Sequence, residues 1–442
     1  MIVLSLYMAF YFGIFALSWS IVYSLSSIVQ LLFIPSVWIL LEYTRSHLIL
    51  GGFPWALLGY SQYQNLPMIQ IADITGVWGV SWLVMFINVA IYSGVRCQGS
   101  GVRKRISSLL FPILLAVVVM SYGFYKLSCP LSPVTSNLIK ISVIQGNIPQ
   151  DLKWDAQAAQ SIVVTYLNLS EKALLDKTDI LIWPEASWPY LEDENDDSFV
   201  LLKEFTREEK IPLLVGAVTK NENNYHNGAL LFSKEGKLIT RYDKLHLVPF
   251  GEYIPLRKMF PFLDTVVPIG DFSPGKEYSL IPLPVTFETR DPRPETRISA
   301  GVLICFEDIF PELARQFRLK GADLLVNITN DGWFGRTQAP YQHFSASVFR
   351  AVENRLSLVR SANTGVSGFI SPTGKITGVV ADKKGRETFT PGLLTRQVEL
   401  NFTTGLTFYS RFGDWFIFLN LIFVALGIVL TQIKNNRMFL AF

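Results

Sequence analysis

Residues 1 to 41 carry no charged side chain. A bilayer core needs about 20 apolar residues per helix. The run is too long for one crossing and predicts two, with a break near Ser24 to Ser27. Residues 73–95, 106–125 and 415–433 are further apolar runs of this kind. A single such run can be a buried helix of a soluble core, but a soluble domain rarely repeats uncharged stretches of this length. The first run reads as membrane-spanning rather than as a cleaved leader, being too long and lacking a basic start.

From Asn137 the pattern changes to short apolar runs separated by turn residues. Residues 139–145, 179–183, 212–218, 228–233, 298–305 and 322–329 read as strands, while 156–175, 199–209 and 343–353 read as helices. Strands and helices mixed over this length predict one layered α/β domain. The predicted organisation has three parts. Residues 1–129 form a membrane domain of about four helices, with an aromatic, Gly/Pro-rich loop at 45–72 that either anchors at the headgroups or shapes a lipid entrance. Residues 130–410 form the α/β domain, and residues 411–442 a last membrane helix with a short tail.

Composition agrees: 50% of residues are hydrophobic and 17% charged, more apolar than an ordinary soluble protein. The net charge of +3 says little, but its placement sets an orientation. Arg96, Arg103, Lys104 and Arg105 share one short loop, and Lys434 and Arg437 follow the last span. The positive-inside rule puts both groups in the cytoplasm and residues 130–410 outside. These basic residues are a topology signal, and no nucleic-acid partner is expected. The acidic run Glu192 to Asp197 reads as a solvated loop. The cysteines, Cys97, Cys129 and Cys305, form no disulfide framework. The four histidines are scattered without ligand spacing, so no metal or cofactor is expected.

Candidate chemistry lies in the α/β domain. Cys305 ends G-V-L-I-C, Glu185 ends D-I-L-I-W-P-E, and Lys244 lies in Y-D-K-L-H-L-V-P-F-G-E. Taken singly, each has a plain explanation as a core thiol, a turn cap or a solvated lysine. Together they are the parts of an activated nucleophile. A thiol attacks a carbonyl as thiolate and needs a base, which Glu185 beside Trp183, Pro184 and Trp188 can supply. The developing oxyanion needs a positive charge or backbone donors, which Lys244 and amides near Cys305 can supply.

The order W-P-E, D-K-x-H-L-V-P-F-G-E, C-x-E resembles the nitrilase superfamily. The membrane flanks point to its apolipoprotein N-acyltransferase branch. The segments at 52–62 (G-F-P-W-A-L-L-G-Y-S-Q), 145–154 (Q-G-N-I-P-Q-D-L-K-W), 330–335 (N-D-G-W-F-G) and 403–411 (T-T-G-L-T-F-Y-S-R) resemble that branch too. The resemblance implies an α-β-β-α sandwich flanked by transmembrane helices, in the inner membrane of a bacterium, with the sandwich outside. It implies Glu185 as base, Lys244 as oxyanion stabiliser and Cys305 as nucleophile. Glu252 and Glu307 would support the site, and Trp154, Phe306 and Trp333 would border the substrate. Phe306 stands where the family often has Tyr, which puts a polar role there in doubt. The implied activity moves an acyl chain from a phospholipid, through a Cys thioester, to the α-amine of a diacylglyceryl-modified apolipoprotein, by a monomer. A tethered amidase or an inactive lipoprotein-binding protein are the alternatives. Counting spans back from the basic loop starts Met1 outside, so further helices, three by resemblance, are expected upstream.

Overall fold

Long uncharged runs can satisfy their own backbone in a bilayer only as helices or closed barrels. The computed structural model describes residues 2–23, 25–48, 51–96, 102–129, 138–153, 155–193, 199–221, 224–255, 272–283, 298–400 and 405–439. The first run forms α1 (Ile2–Val22) and α2 (Ser27–His47), broken where the serines lie. α3 (Val77–Arg96), α4 (Val102–Ser128) and a C-terminal helix (Trp415–Phe439) complete the set. Among the described residues, four of these are long and apolar enough to cross a membrane, and α3 supplies only a shorter stretch, Val77–Ser93. It starts later than the pattern suggests because Ala72–Thr75 is a separate helical turn, ended by Gly76 at φ 65°. Glycine adopts that backbone without a Cβ penalty.

α2 also continues past the uncharged run, through Glu42 and Arg45. Both side chains are buried, yet each has a partner in the loop that follows. The Leu58 amide donates to Glu42 Oε1 at 2.7 Å, and Arg45 Nη1 donates to the Trp55 carbonyl at 2.9 Å. The charges therefore fix the loop to the helix instead of ending it.

Contacts divide the chain into two units, residues 1–129 with 411–442, and residues 130–410. In the second unit the strands are β1 (Leu138–Gln145), β2 (Ile180–Ile182), β3 (Trp188–Asp193), β4 (Leu213–Asn221), β5 (Asn224–Phe232), β6 (Leu238–Asp243), β7 (Ile281–Leu283), β8 (Ile298–Ile304), β9 (Leu324–Thr329), β10 (Leu358–Ala362), β11 (Gly368–Ile370), β12 (Ile376–Val379) and β13 (Gly392–Glu399). The helices are α5 (Ala159–Leu174), α6 (Val200–Glu208), α7 (Pro311–Leu319) and α8 (Ala339–Asn354). One sheet has the order β13-β1-β2-β4-β5-β6, with β3 beside β4, and the other β12-β11-β10-β9-β8-β7. The runs β1-β2-β4 and β8-β9-β10 are parallel. Parallel strands are covered on both faces, which is why β2, β8 and β9 read as unbroken apolar stretches.

The sheets pack face to face, and the Ser361 hydroxyl of β10 reaches the Ile144 and Ile182 carbonyls of the opposite sheet at 3.0 and 3.1 Å. Ile162, Val163 and Tyr166 of α5, with Leu202 and Phe205 of α6, share one core with Leu181, Leu213 and Val215 of the first sheet. α7 approaches the second sheet over Gly301, where a Cβ would lie 2.5 Å from Phe317 Cβ. The result is an α-β-β-α sandwich. The acidic run expected as a loop begins inside β3, where Glu192 and Asp193 pair with Thr219 and Lys220. Residues 194–197 lie outside the described residues.

Candidate active site

In parallel α/β sheets, ligands gather at the carboxyl ends of the strands. The candidate residues lie there. Glu185 follows β2 and Cys305 follows β8, while Lys244 directly follows β6. The turns that carry them are tight: Ala186 has φ 45° and Cys305 φ 54°. Both are non-glycine residues in the left-handed region, which costs about 1–3 kcal/mol unless the surroundings hold it. At Cys305 they do. Asn327 Nδ2 donates to the Leu303 and Cys305 carbonyls at 3.1 and 3.2 Å, and His343 Nε2 lies 3.2 Å from the same Cys305 oxygen.

Lys244 is 1% exposed, and its Nζ lies 2.8 Å from Glu252 Oε1 and 3.5 Å from Glu185 Oε1. Asn227 of β5 binds both carboxylates through Nδ2, at 2.8 Å to Glu185 and 2.9 Å to Glu252. The Asn330 amide donates to Glu185 Oε2 at 2.8 Å, and the Val248 amide to Glu252 Oε2 at 2.8 Å. Each carboxylate is thus fixed at both oxygens. Burial alone would lower the Lys244 ammonium, but the Glu252 and Glu185 carboxylates outweigh it and hold it above the usual lysine range. Burial, and then the Glu185 carboxylate, push the Cys305 thiol well above the ordinary cysteine value, while Lys244 and the Thr329 hydroxyl pull the other way. The resting sulfur is therefore a thiol, with a carboxylate and a fixed cation near it.

Glu307 is fully buried and anchors two chain segments to each other. Its Oε1 accepts from the Leu245 and His246 amides at 2.7 and 3.0 Å, its Oε2 from the Ile304 amide at 2.7 Å, and the Tyr242 hydroxyl donates to both. The segment after Lys244 is so tied to the strand end before Cys305. Burial pushes the Glu307 carboxyl up to about 7, against the pull of these amides. Phe306 is half-buried and packs on Phe310 at 5.1 Å between ring centres, with His246 at 6.1 Å. Trp333, on the turn after β9, is 70% exposed, so it is no core aromatic. Trp154 and Cys97 lie outside the described residues, and Cys129 is a free thiol.

Several residues around the site did not stand out in the sequence. Beneath Cys305 lies a buried network. His343 Nε2 is 2.7 Å from Asp308 Oδ1 and its Nδ1 is 2.8 Å from Asp331 Oδ1. Arg360 pairs with the same two aspartates, at 2.6 and 3.3 Å. Burial would lower His343, but Asp308 and then Asp331 prevail over it and over Arg360, raising the imidazole to about 9. Lys153 is buried as well, and its Nζ donates to the Glu185 carbonyl at 2.9 Å. Burial pulls its ammonium down to about 8, opposed by the charges of Glu185 and Cys305. A polar residue inside an apolar strand marks Asn227. Lys153, the one basic residue of the 145–154 segment, carried a comparable signal.

The carbon-nitrogen hydrolase family pattern matches residues 140–405, which include every residue of this site. The apolipoprotein N-acyltransferase N-terminal domain pattern matches residues 1–90. The apolipoprotein N-acyltransferase of Geobacter metallireducens is 42% identical over 392 residues, covering 86% of this chain and 70% of that protein. The chain belongs to the apolipoprotein N-acyltransferase family. The enzyme of that name from Rickettsia prowazekii is 31% identical, over 88% of this chain and 74% of its own. Among solved structures, an amidase from Nesterenkonia sp. is similar at TM-score 0.44 and 18% identity, over 65% of this chain and 98% of that one. Saccharomyces cerevisiae Nit3, of branch 10 of the nitrilase superfamily, has a TM-score of 0.43 at 19% identity, over 61% and 92%.

Proposed function

We propose that this member of the family transfers an acyl chain from a membrane phospholipid to the α-amine of the diacylglyceryl-modified N-terminal cysteine of lipoproteins. Cys305 passes its proton to Glu185, and the thiolate attacks the ester carbonyl. The tetrahedral oxyanion is stabilised by Lys244. The C–O bond to glycerol breaks, Glu185 returns the proton to the leaving oxygen, and a lysophospholipid departs from a Cys305 thioester. The lipoprotein amine then attacks that thioester and gives up a proton through Glu185, and the C–S bond breaks to restore the thiol. One nucleophile serving two substrates in turn gives ping-pong kinetics.

Glu252 holds Lys244 in place, and Glu307 holds the segment after it. Trp154, Phe306 and Trp333 border the substrates, and a monomer suffices. In the organisation we propose, residues 1–129 and 411–442 lie in the bacterial inner membrane, and residues 130–410 act on its extracytoplasmic side. The observation that carries this reading is the meeting of Glu185 and Lys244, at strand ends, with Glu252 beside Cys305. Its support also includes the four apolar helices and the names of the relatives.

Radiolabelled phospholipid, incubated with the full chain in detergent micelles, should leave a hydroxylamine-labile label on the protein. Cys305→Ala should abolish the label, and Cys97→Ala and Cys129→Ala should keep it. A label persisting in Cys305→Ala would sink the nucleophile assignment.

A further inference from the structure

The charges of Glu185, Glu252 and Lys244 around Cys305 do not balance. Glu185 and Glu252 contribute two negative charges within reach of Lys244, which contributes one positive. A thiolate formed against that surplus would meet a net negative site, in surroundings where water screens little. Asp331, which Cys305 also feels, is already paired with Arg360 and His343, as is Asp308.

Among the described residues, a further cation at the site is Lys153. It is 4% exposed, and its ammonium is held at 2.9 Å by the carbonyl of Glu185, its one hydrogen-bond acceptor among the described residues. An ammonium buried with so few partners gives up its hydration and persists only where nearby negative charge compensates. The negative charges of Glu185 and of a Cys305 thiolate act on Lys153 and hold the ammonium up against burial. We propose that Lys153 is the second cation of the reaction centre: it offsets the charge of Glu252, so that Cys305 passes its proton to Glu185 with the two carboxylates around Lys244 matched by two ammonium groups. Moving the proton from sulfur to carboxylate leaves that balance unchanged. Glu307, on which Lys244 also acts, is held instead by backbone amides and the Tyr242 hydroxyl. Lys153 is a positioning residue in its hydrogen bond, because that bond also holds the turn whose next residue, Ala186, is left-handed.

The inference rests on Cys305 as nucleophile, and its test needs no phospholipid, so the two can fail separately. The full chain in nanodiscs is alkylated with iodoacetamide at pH 7, where Lys153 carries its charge, and the Cys305 peptide is followed by mass spectrometry. In Lys153→Met the alkylation rate should fall about tenfold or more, the effect of a one-unit shift by a neighbouring charge. Acyl-enzyme formation at the same pH should fall in parallel, with KM for phospholipid little changed. Adding Glu252→Gln to Lys153→Met removes one negative charge and should restore the rate. Lys153→Arg keeps the charge and should keep the rate. An unchanged rate in Lys153→Met, or no return in the double variant, overturns the proposal. If Lys153→Met does not fold, an Arg variant slowed tenfold overturns it instead. Loss of the phospholipid-derived label on Cys305, with these rates as expected, would fault the acyl-transfer reading alone.

Discussion

Among single residues, the anchoring glutamate and the buried histidine make the sharpest demands. Glu307 accepts from three backbone amides and a tyrosine hydroxyl, so Glu307→Gln turns an amide against donors with no acceptor to offer. A buried unsatisfied donor costs about 1–3 kcal/mol. We expect a lower melting temperature and a fall in acyl-enzyme formation of about tenfold or more, measured by thermal unfolding and labelling. Glu185→Gln should cost about 10²–10⁴ in acylation, as the loss of a general base does, and circular dichroism should show an unchanged fold. Near-normal labelling in folded Glu185→Gln would assign the base elsewhere. His343 is charged more readily in the folded chain than in the unfolded one, rising from 6.5 to about 9. The stability it contributes is present in full below pH 6.5 and is lost as pH rises through 9. Melting temperature should therefore decline across that window, and His343→Gln should flatten the decline. Glu185, Lys244, Cys305 and Glu252 were legible because each closes an apolar run or sits in a dense motif. The Asp308, Asp331, His343 and Arg360 cluster was not, because its members come from separate segments and only Asp331 lay in a motif that stood out, with nothing there to tie it to the others.

At the level of elements, the parallel strands were the most legible part. β1, β2, β4, β8 and β9 are largely covered on both faces, and their sequences are correspondingly dominated by apolar residues. The strands β3, β6, β7 and β10–β13 and the helix α7 were not read: β7 and β11 are three residues long, and β13 and α7 mix apolar with charged positions. The end of α2 was misplaced because Glu42 and Arg45 look like a boundary until their loop partners are known. One glycine position is exacting. A Cβ on Gly216 of β4 would lie 2.4 Å from the Pro184 carbonyl and 2.6 Å from Glu185 Cα. Both are backbone contacts with no side chain to swing away, so the turn bearing Glu185 must shift. Gly216→Ala should lower acyl-enzyme formation by about 10²-fold, the scale of an ångström's misplacement, with the melting temperature reduced by a few degrees. Labelling at the unaltered rate would show that the Glu185 turn tolerates displacement.

On the scale of the whole chain, the proposed topology makes a direct demand. A reporter fused after Ser100 should report the cytoplasm, and one fused after Ser128 the outside. The reverse result would put residues 130–410 on the wrong side for lipoprotein substrates. The pairing of β1 with β13, from Leu138 opposite Glu399 to Gln145 opposite Gly392, has a further bearing on how such a protein is made. β1 emerges early in synthesis, but its partner on that edge is among the last strands to leave the ribosome. At about 5–20 residues per second, roughly 250 intervening residues leave the edge uncovered for roughly 10–50 s. An apolar strand with one open edge is a template for intermolecular pairing throughout that interval. The growing chain is therefore at greatest risk of aggregation before its last strand appears, and it is a natural client for a chaperone that shields strand edges.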